Sequence, residues 1–235
     1  MNAVRKWWLW FCLAFLAGAW PLSLPAQSDN PVDGVTLKDG KLYTTRGDQT
    51  ELLKGKLEFP PNIKFDPKGT FKVGDGADRT LTAGQVLRRD GWLLSPDGSI
   101  RPVFDHVAML SGRVVVVRDG QTTPLAQPMV FPNNLNIAPN GLCVYPDGLR
   151  SRLVDGLLFR LDGTAIPTKD TISLKNGRAV VQRDGALISL VPSQVMGMND
   201  GTRVRGDGFI MKPDGSTSQL REGQTIIVDG VKGRP

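Results

Sequence analysis

Histidine, cysteine and converging carboxylates carry most nucleophilic, acid–base and metal chemistry, and this 235-residue chain is poor in the first two. Its single histidine, His106, stands between Asp105 and Val107. A catalytic or metal-binding imidazole needs partners, and one histidine makes no cluster of them. The expectation for His106 is an exposed turn residue at a strand entrance. Of the two cysteines, Cys12 lies in an apolar N-terminal run and Cys143 in the body of the chain. The sequence holds no Gly-x-Ser-x-Gly elbow, no His-Glu-x-x-His helix, no phosphate loop and no dinucleotide fingerprint.

Carboxylates are plentiful, and 16 of the 23 stand beside a glycine. There are 14 Asp-Gly dipeptides, joined by Asn140-Gly141 and Asn176-Gly177, so 16 of the 27 glycines follow Asp or Asn. Such pairs supply the positive φ that tight hairpins require, which already accounts for their abundance. Asp97, Asp147, Asp162, Asp207 and Asp214 offer loop oxygens of the kind calcium takes, but none has the alternating acids and closing Glu of a calcium hand. Trp92, Tyr43, Tyr145 and Phe104 are too dispersed to form an aromatic platform for glycans. The reading assigns no catalytic, cofactor-binding or metal-binding residue and no cofactor.

The elements that would position any of these groups come in triplicate. Asp33–Gly91 and Asp105–Gly163 align without a gap at an offset of 72, with 19 identities in 59 positions, and Asp170–Gly230 is a third copy. The offset from copy two to copy three is 65 at Gly112/Gly177 and 67 at Gly141/Gly208. Two residues are therefore inserted in copy three, most naturally in a loop near Pro192–Asn199, where Met196 and Met198 stand ready for an adaptable surface. Cys143 falls where copy one has Phe71 and copy three Ile210, so it reads as a core residue rather than a nucleophile.

Between the turns lie short runs rich in Val, Ile, Leu, Thr and Phe. In copy one these predict strands at Val35–Lys38, Lys41–Arg46, Glu51–Leu53, Phe71–Val73, Val86–Arg89 and Trp92–Ser95. Leu42 and Thr44 should point one way, Tyr43 and Thr45 the other. Val114-Val115-Val116-Val117 is apolar on both faces and should be covered on both. No stretch of 12 residues keeps a helical apolar period free of Gly and Pro. The expected fold is all-β: three tandem repeats of antiparallel hairpins or meanders with tight Asp-Gly turns, at residues 33–98, 105–168 and 170–230. The Pro-Asp-Gly turns at Pro96, Pro146 and Pro213 fit type I turns closed by a glycine bulge. Links as short as Ser99–Phe104 and Thr164–Lys169 favour closely stacked units over separate beads.

Residues 1–26 read as an address. Arg5 and Lys6 precede an uninterrupted apolar run, Trp7–Trp20, which leads to Pro25-Ala26. A basic start, a short apolar core and a small residue at the exit describe a cleaved secretory signal, cut after Ala26 with Ala19 as the alternative. An uncleaved anchor is the competing reading, and the run is short for a span of about 20 residues. Residues 27–32 form a linker and 231–235 a tail. Cleavage lowers the formal charge from +6 to +4, because Arg5 and Lys6 leave and no acid does. The remaining charges are scattered, without the basic face that nucleic acid requires. The expected mature chain is extracytoplasmic, periplasmic or secreted, with no membrane span and no nucleic-acid partner.

The pattern Asp33-x-Val35-x-x-Lys38-Asp39-Gly40-Lys41, then Arg118-Asp119-Gly120 with Leu125, resembles secreted bacterial proteins carrying domain of unknown function family 6799. The closing element Leu81/Gly84/Gln85 recurs as Leu153/Gly156 and Leu220/Gly223/Gln224, with Leu157 replacing Gln in copy two. The resemblance implies no activity. The reading is a non-enzymatic structural or interaction module whose partner, a protein or envelope component, meets a sheet face or edge. The alternative is an extracytoplasmic glycan- or calcium-binding module, or a hydrolase with two acids converging in a cleft across copies.

Overall fold

The computed structural model describes residues 32–230, so the signal segment 1–26, Cys12, most of the linker and the tail 231–235 lie outside the described residues. These residues form 27 β-strands arranged in six antiparallel sheets. Each copy contributes two sheets. In copy two, His106–Leu110, Arg113–Arg118 and Gln121–Pro124 zigzag through tight turns; the chain then lays down a four-stranded meander, Met129–Val130 to Arg150–Arg152. Leu158–Arg160 finally returns to pair with His106–Leu110, the strand that opened the copy. Val86–Arg88 closes copy one on Gly34–Lys38 in the same way, and Thr225–Asp229 closes copy three on Lys169–Lys175.

That return makes each copy two facing sheets rather than one up-and-down meander. The physical reason is area: a short meander has one apolar face and must cover it, and the hairpin sheet of the same copy is the nearest cover. Copy two accordingly has its own core, in which Val107, Val114, Val116 and Phe159 of one sheet meet Phe131, Ile137 and Cys143 of the other. Copies one and three repeat the arrangement around Val35, Leu42 and Phe65, and around Ile172, Val181 and Ile210. Cys143, Phe71 and Ile210 are all buried, as their shared repeat position required. Leu42 and Thr44 are buried while Tyr43 and Thr45 are partly exposed, the period of a half-covered strand.

The turns follow their residues. Asp39-Gly40, Ser111-Gly112 and Asn176-Gly177 all adopt positive φ at both positions, the geometry of a two-residue hairpin whose twist matches its strands. Gly98, Gly148 and Gly215 sit at positive φ after Pro-Asp, and Gly98 donates its N–H to the Ser95 carbonyl at 2.9 Å. The Asp that opens every copy also has a fixed task. Asp33, Asp105 and Asp170 each accept the backbone N–H of the residue 14 positions on: Gly47 at 2.7 Å, Asp119 at 2.8 Å and Asp184 at 3.1 Å.

Several sequence expectations change. Leu57–Phe59, Ile63–Asp66, Arg79–Thr80 and Ile100–Pro102 are additional strands of copy one that short, charged runs concealed. The segments between copies are strands too: Ile100–Pro102 extends the first sheet beside Trp92–Leu94, and Ala165–Ile166 pairs with Leu158–Arg160. The insertion in copy three lengthens the turn before Val195–Gly197, where Gln194 donates its N–H to Val191 at 2.9 Å. Its two methionines differ in burial. Met198 is buried in the third core, whereas Met196 packs against that core and also borders an open hollow with Val154 and Ile188, so only Met196 reaches the surface.

A fourth core joins the copies. Trp92, Ile100 and Phe104 from the end of copy one pack with Ala108, Val115, Leu158 and Ile166 on the outer face of the copy-two sheet, and Ile227 of copy three packs against them. The four-valine strand is thereby explained: Val114 and Val116 enter the core of copy two, whereas Val115 enters the shared one.

Candidate functional site

The copies also enclose a cavity of about 420 Å³ where they meet. Its walls come from Trp92–Leu94, Ile100–Pro102 and Arg79–Thr80 of copy one, His106–Leu110 of copy two, and Lys169–Lys175 and Arg178–Arg183 of copy three. Apolar side chains form much of the lining, among them Trp92, Leu93, Ile100, Met109 and Leu158. Arg79, Gln85, Arg101, His106, Lys169, Asp170 and Gln182 are the titratable or amide groups on it. An apolar chamber with a few fixed polar groups is the usual form of a small-molecule site.

His106 belongs to this chamber, which corrects the expectation of an exposed turn residue. It is the first residue of a central strand and only 6 % exposed, because the shared core covers that face of the sheet. Its Nδ1 lies 2.8 Å from the Phe104 carbonyl, an acceptor, which places the ring proton on Nδ1. Burial pushes the imidazole below its ordinary range, and the hydrogen bond and nearby Asp105 only partly oppose this. His106 is therefore a neutral ring held by backbone, without a carboxylate orienting it in the manner of a triad.

Asp170 is 2 % exposed, and its carboxyl is pushed up to about 6, first by burial and then by the charge of Asp184. Asn199 Nδ2 donates to both acids, at 3.0 Å to Asp170 and 2.7 Å to Asp184. Gln182 acts as a strand substitute at the seam between copies one and three. Its Oε1 accepts the Ile100 N–H at 2.6 Å and its Nε2 donates to the Ile100 carbonyl at 2.8 Å. Thr171 Oγ1 donates to the Gly98 carbonyl and Lys175 Nζ to that of Pro96, which adds two bonds to the same seam.

Arg79 is anchored by one arm, Nη1 donating to the Val103 carbonyl at 2.7 Å. Its Nε and Nη2 are buried without a protein hydrogen-bond partner. Desolvation lowers the guanidinium pKa, opposed by the charges of Asp105 and Asp119.

The acids considered for calcium are hairpin caps. Asp97, Asp147, Asp162, Asp207 and Asp214 each accept the backbone N–H two residues on, at 2.8–3.0 Å. Side-chain hydrogen bonds from Ser99, Thr164, Arg205 and Ser216, followed by those backbone bonds, hold Asp97, Asp162, Asp207 and Asp214 below the usual carboxylate range. Among the described residues, no group of three or more His, Cys, Asp or Glu is placed to hold a metal ion. Asp75, Asp105, Asp119 and Asp162 do border an open hollow where copies one and two meet. There, however, Asp119 Oδ1 accepts the Ala77 N–H at 3.0 Å, and Asp105 binds the Asp119 N–H. A general acid must stay protonated near neutral pH, and the carboxyl displaced that way, Asp170, lines the cavity instead. Cys143 is buried in the second core, its thiol pushed up by desolvation. Of the aromatics considered for glycans, Trp92 and Phe104 meet edge to face, centroids 6.4 Å apart, in the buried fourth core, Phe104 stacks under Arg160 at 3.9 Å, and Tyr145 packs on the second core.

Sequence reasoning singled out none of Arg79, Arg101, Lys169, Asp170 and Gln182. A signal existed in the copies' differences. Arg79 aligns with Ser151 and Ser218, Gln182 with Thr45 and Val117, and His106 with Gly34 and Thr171. These three positions change chemical kind between copies and line the shared cavity; Asp170, common to all three copies as Asp33 and Asp105, lines it as well.

The family model described as a domain of unknown function (DUF6799) matches residues 104–165 and 169–231, more than half of the chain. These matches fall on the second and third copies. No curated protein and no solved structure matches the chain.

Proposed function

The chain belongs to the DUF6799 family, and we propose that this member is a non-enzymatic interaction module working outside the cytoplasm. One observation carries the reading: the side chains that could do chemistry hold the fold together. The loop aspartates cap their own hairpins, the opening aspartates pin the second turn of each copy, and His106 is tied to backbone.

Three edges suit an interacting partner. Gln49–Leu52, Gln121–Pro124 and Ala186–Ser189 each end a hairpin sheet and are largely exposed. Such edges accept an added strand from a protein or envelope component through main-chain hydrogen bonds. Export rests on the basic, apolar and small-residue order of residues 1–26, and the scattered positive charge of the mature chain argues against nucleic acid.

Fractionation of the native cell, with mass analysis of the protein and cross-link mapping, tests both parts. The expected mature chain begins at Gln27 and cross-links through the three edge strands. Recovery of the intact chain in the cytoplasm removes the localisation. Hydrolysis of a glycan panel that is lost in Asp170→Asn removes the non-enzymatic reading.

A further inference from the structure

We propose that the central cavity binds a small monocarboxylate with a compact apolar body, its carboxylate held side-on by Nε and Nη2 of Arg79. The proposal goes beyond the reading of an interaction module and stands independently of where the chain resides.

The guanidinium carries the argument. Nε–H and Nη2–H lie on one edge of the planar group and point the same way, the fork that meets both oxygens of a carboxylate. In this protein that edge is buried with no protein partner, while the opposite arm is fixed on Val103. A buried donor without an acceptor is costly, and a buried cation more so. Asp105 and Asp119 stabilise its charge from a distance but bind the backbone N–H groups of Asp119 and Ala77. Both nitrogens are closed to water in this structure, so an acceptor entering the cavity that Arg79 borders meets them once the guanidinium turns its unpaired edge toward that space.

The surroundings select the ligand. Asp105 and Asp119 disfavour a second negative charge beside Arg79, which argues for a carboxylate over a phosphate. Arg101 and Lys169 add positive charge to the lining, offset in part by Asp170, and Lys169 also reaches Asp90 at 3.5 Å. Trp92, Leu93, Ile100 and Met109 supply an apolar wall for the body. A chamber of about 420 Å³ stands near the lower end of small-molecule sites, roughly 300–1,000 Å³. It suits an arylalkanoic or medium-chain alkanoic acid better than a long lipid.

The test is calorimetric titration and thermal shift of the purified protein with 4-phenylbutyrate and octanoate, each against its primary amide. The expected result is saturable binding of an acid, with its amide weaker by at least about tenfold, since a hydrogen-bonded charge pair is lost. Arg79→Lys, which keeps the charge but loses the fork, should weaken the acid by a similar factor and leave the amide unchanged. Equal binding of acid and amide overturns the proposal, as does the absence of binding by both acids at millimolar concentration, or an Arg79→Lys variant that binds like the parent. The acid–amide comparison on the unsubstituted protein decides the matter even if the variant does not fold.

Discussion

The Gln182 clasp ties copy one to copy three, and Gln182→Ala measures what that tie contributes. Ile100 is 3 % exposed, and its N–H and C=O both pair with the Gln182 amide. Truncation leaves two buried backbone groups without partners, each costing about 1–3 kcal/mol. Water from the adjoining cavity can reach part of this seam, which places the expected loss in the lower half of the sum, about 2–3 kcal/mol. For a body of this size, 1 kcal/mol shifts Tm by about 2–4 °C, so Tm should fall by roughly 5–10 °C. Urea unfolding followed by far-UV circular dichroism gives the free energy directly. Gln182→Leu separates hydrogen bonding from packing, because it restores volume without a donor or acceptor. Stability lost in both variants supports the clasp. A loss below about 0.5 kcal/mol in Gln182→Ala, or recovery of parental stability in Gln182→Leu, refutes the reasoning.

Gly98 and Gly148 share a turn position and φ values of 86° and 82°, but an added Cβ meets Ser173 Oγ at 2.5 Å in the first and nothing within 4 Å in the second. Gly148→Ala should cost about 1 kcal/mol for the left-handed backbone, and Gly98→Ala at least about 1 kcal/mol more from the clash, read by chemical denaturation. Asp170 has a folded-state pKa near 6, above its ordinary 3.8, so the fold favours the protonated acid. Stability should therefore rise as pH falls from about 7 to 4 by about 1–2 kcal/mol, discounted for cavity water; Asp170→Asn should lack that component in paired melts. The Cys143 thiol, buried and pushed up in pKa, should resist a disulfide reagent until the protein unfolds, as absorbance of the released thiolate would record. Millimolar calcium should leave Tm unchanged, since the loop acids already serve their own turns; a dose-dependent rise contradicts that assignment.

The sequence by itself determined the copy and its composition. Asp-Gly and Asn-Gly pairs require positive φ, so they placed the hairpin turns. Alternation placed Leu42 inward, and the common position of Cys143, Phe71 and Ile210 placed all three in cores. The double-sided apolarity of Val114–Val117 announced a second covered face. These are local constraints, written within a few residues of where they act.

Only the tertiary structure decided what covers that face. The return of Leu158–Arg160 to His106–Leu110 pairs residues some 50 positions apart, and the Gln182–Ile100 clasp spans 82. The return recurs in every copy but joins strands too far apart for a local pattern to reveal, and the clasp leaves no repeated trace because a seam between copies is formed by single residues from each. The same reason hid His106: aligned with Gly34 and Thr171 it resembled a turn residue, yet the packing of copy one over copy two buries it. Alignment of the copies reads what they share, namely how each one folds. Three of the cavity's polar groups belong to what they do not share, Arg79, His106 and Gln182 each being present in one copy alone.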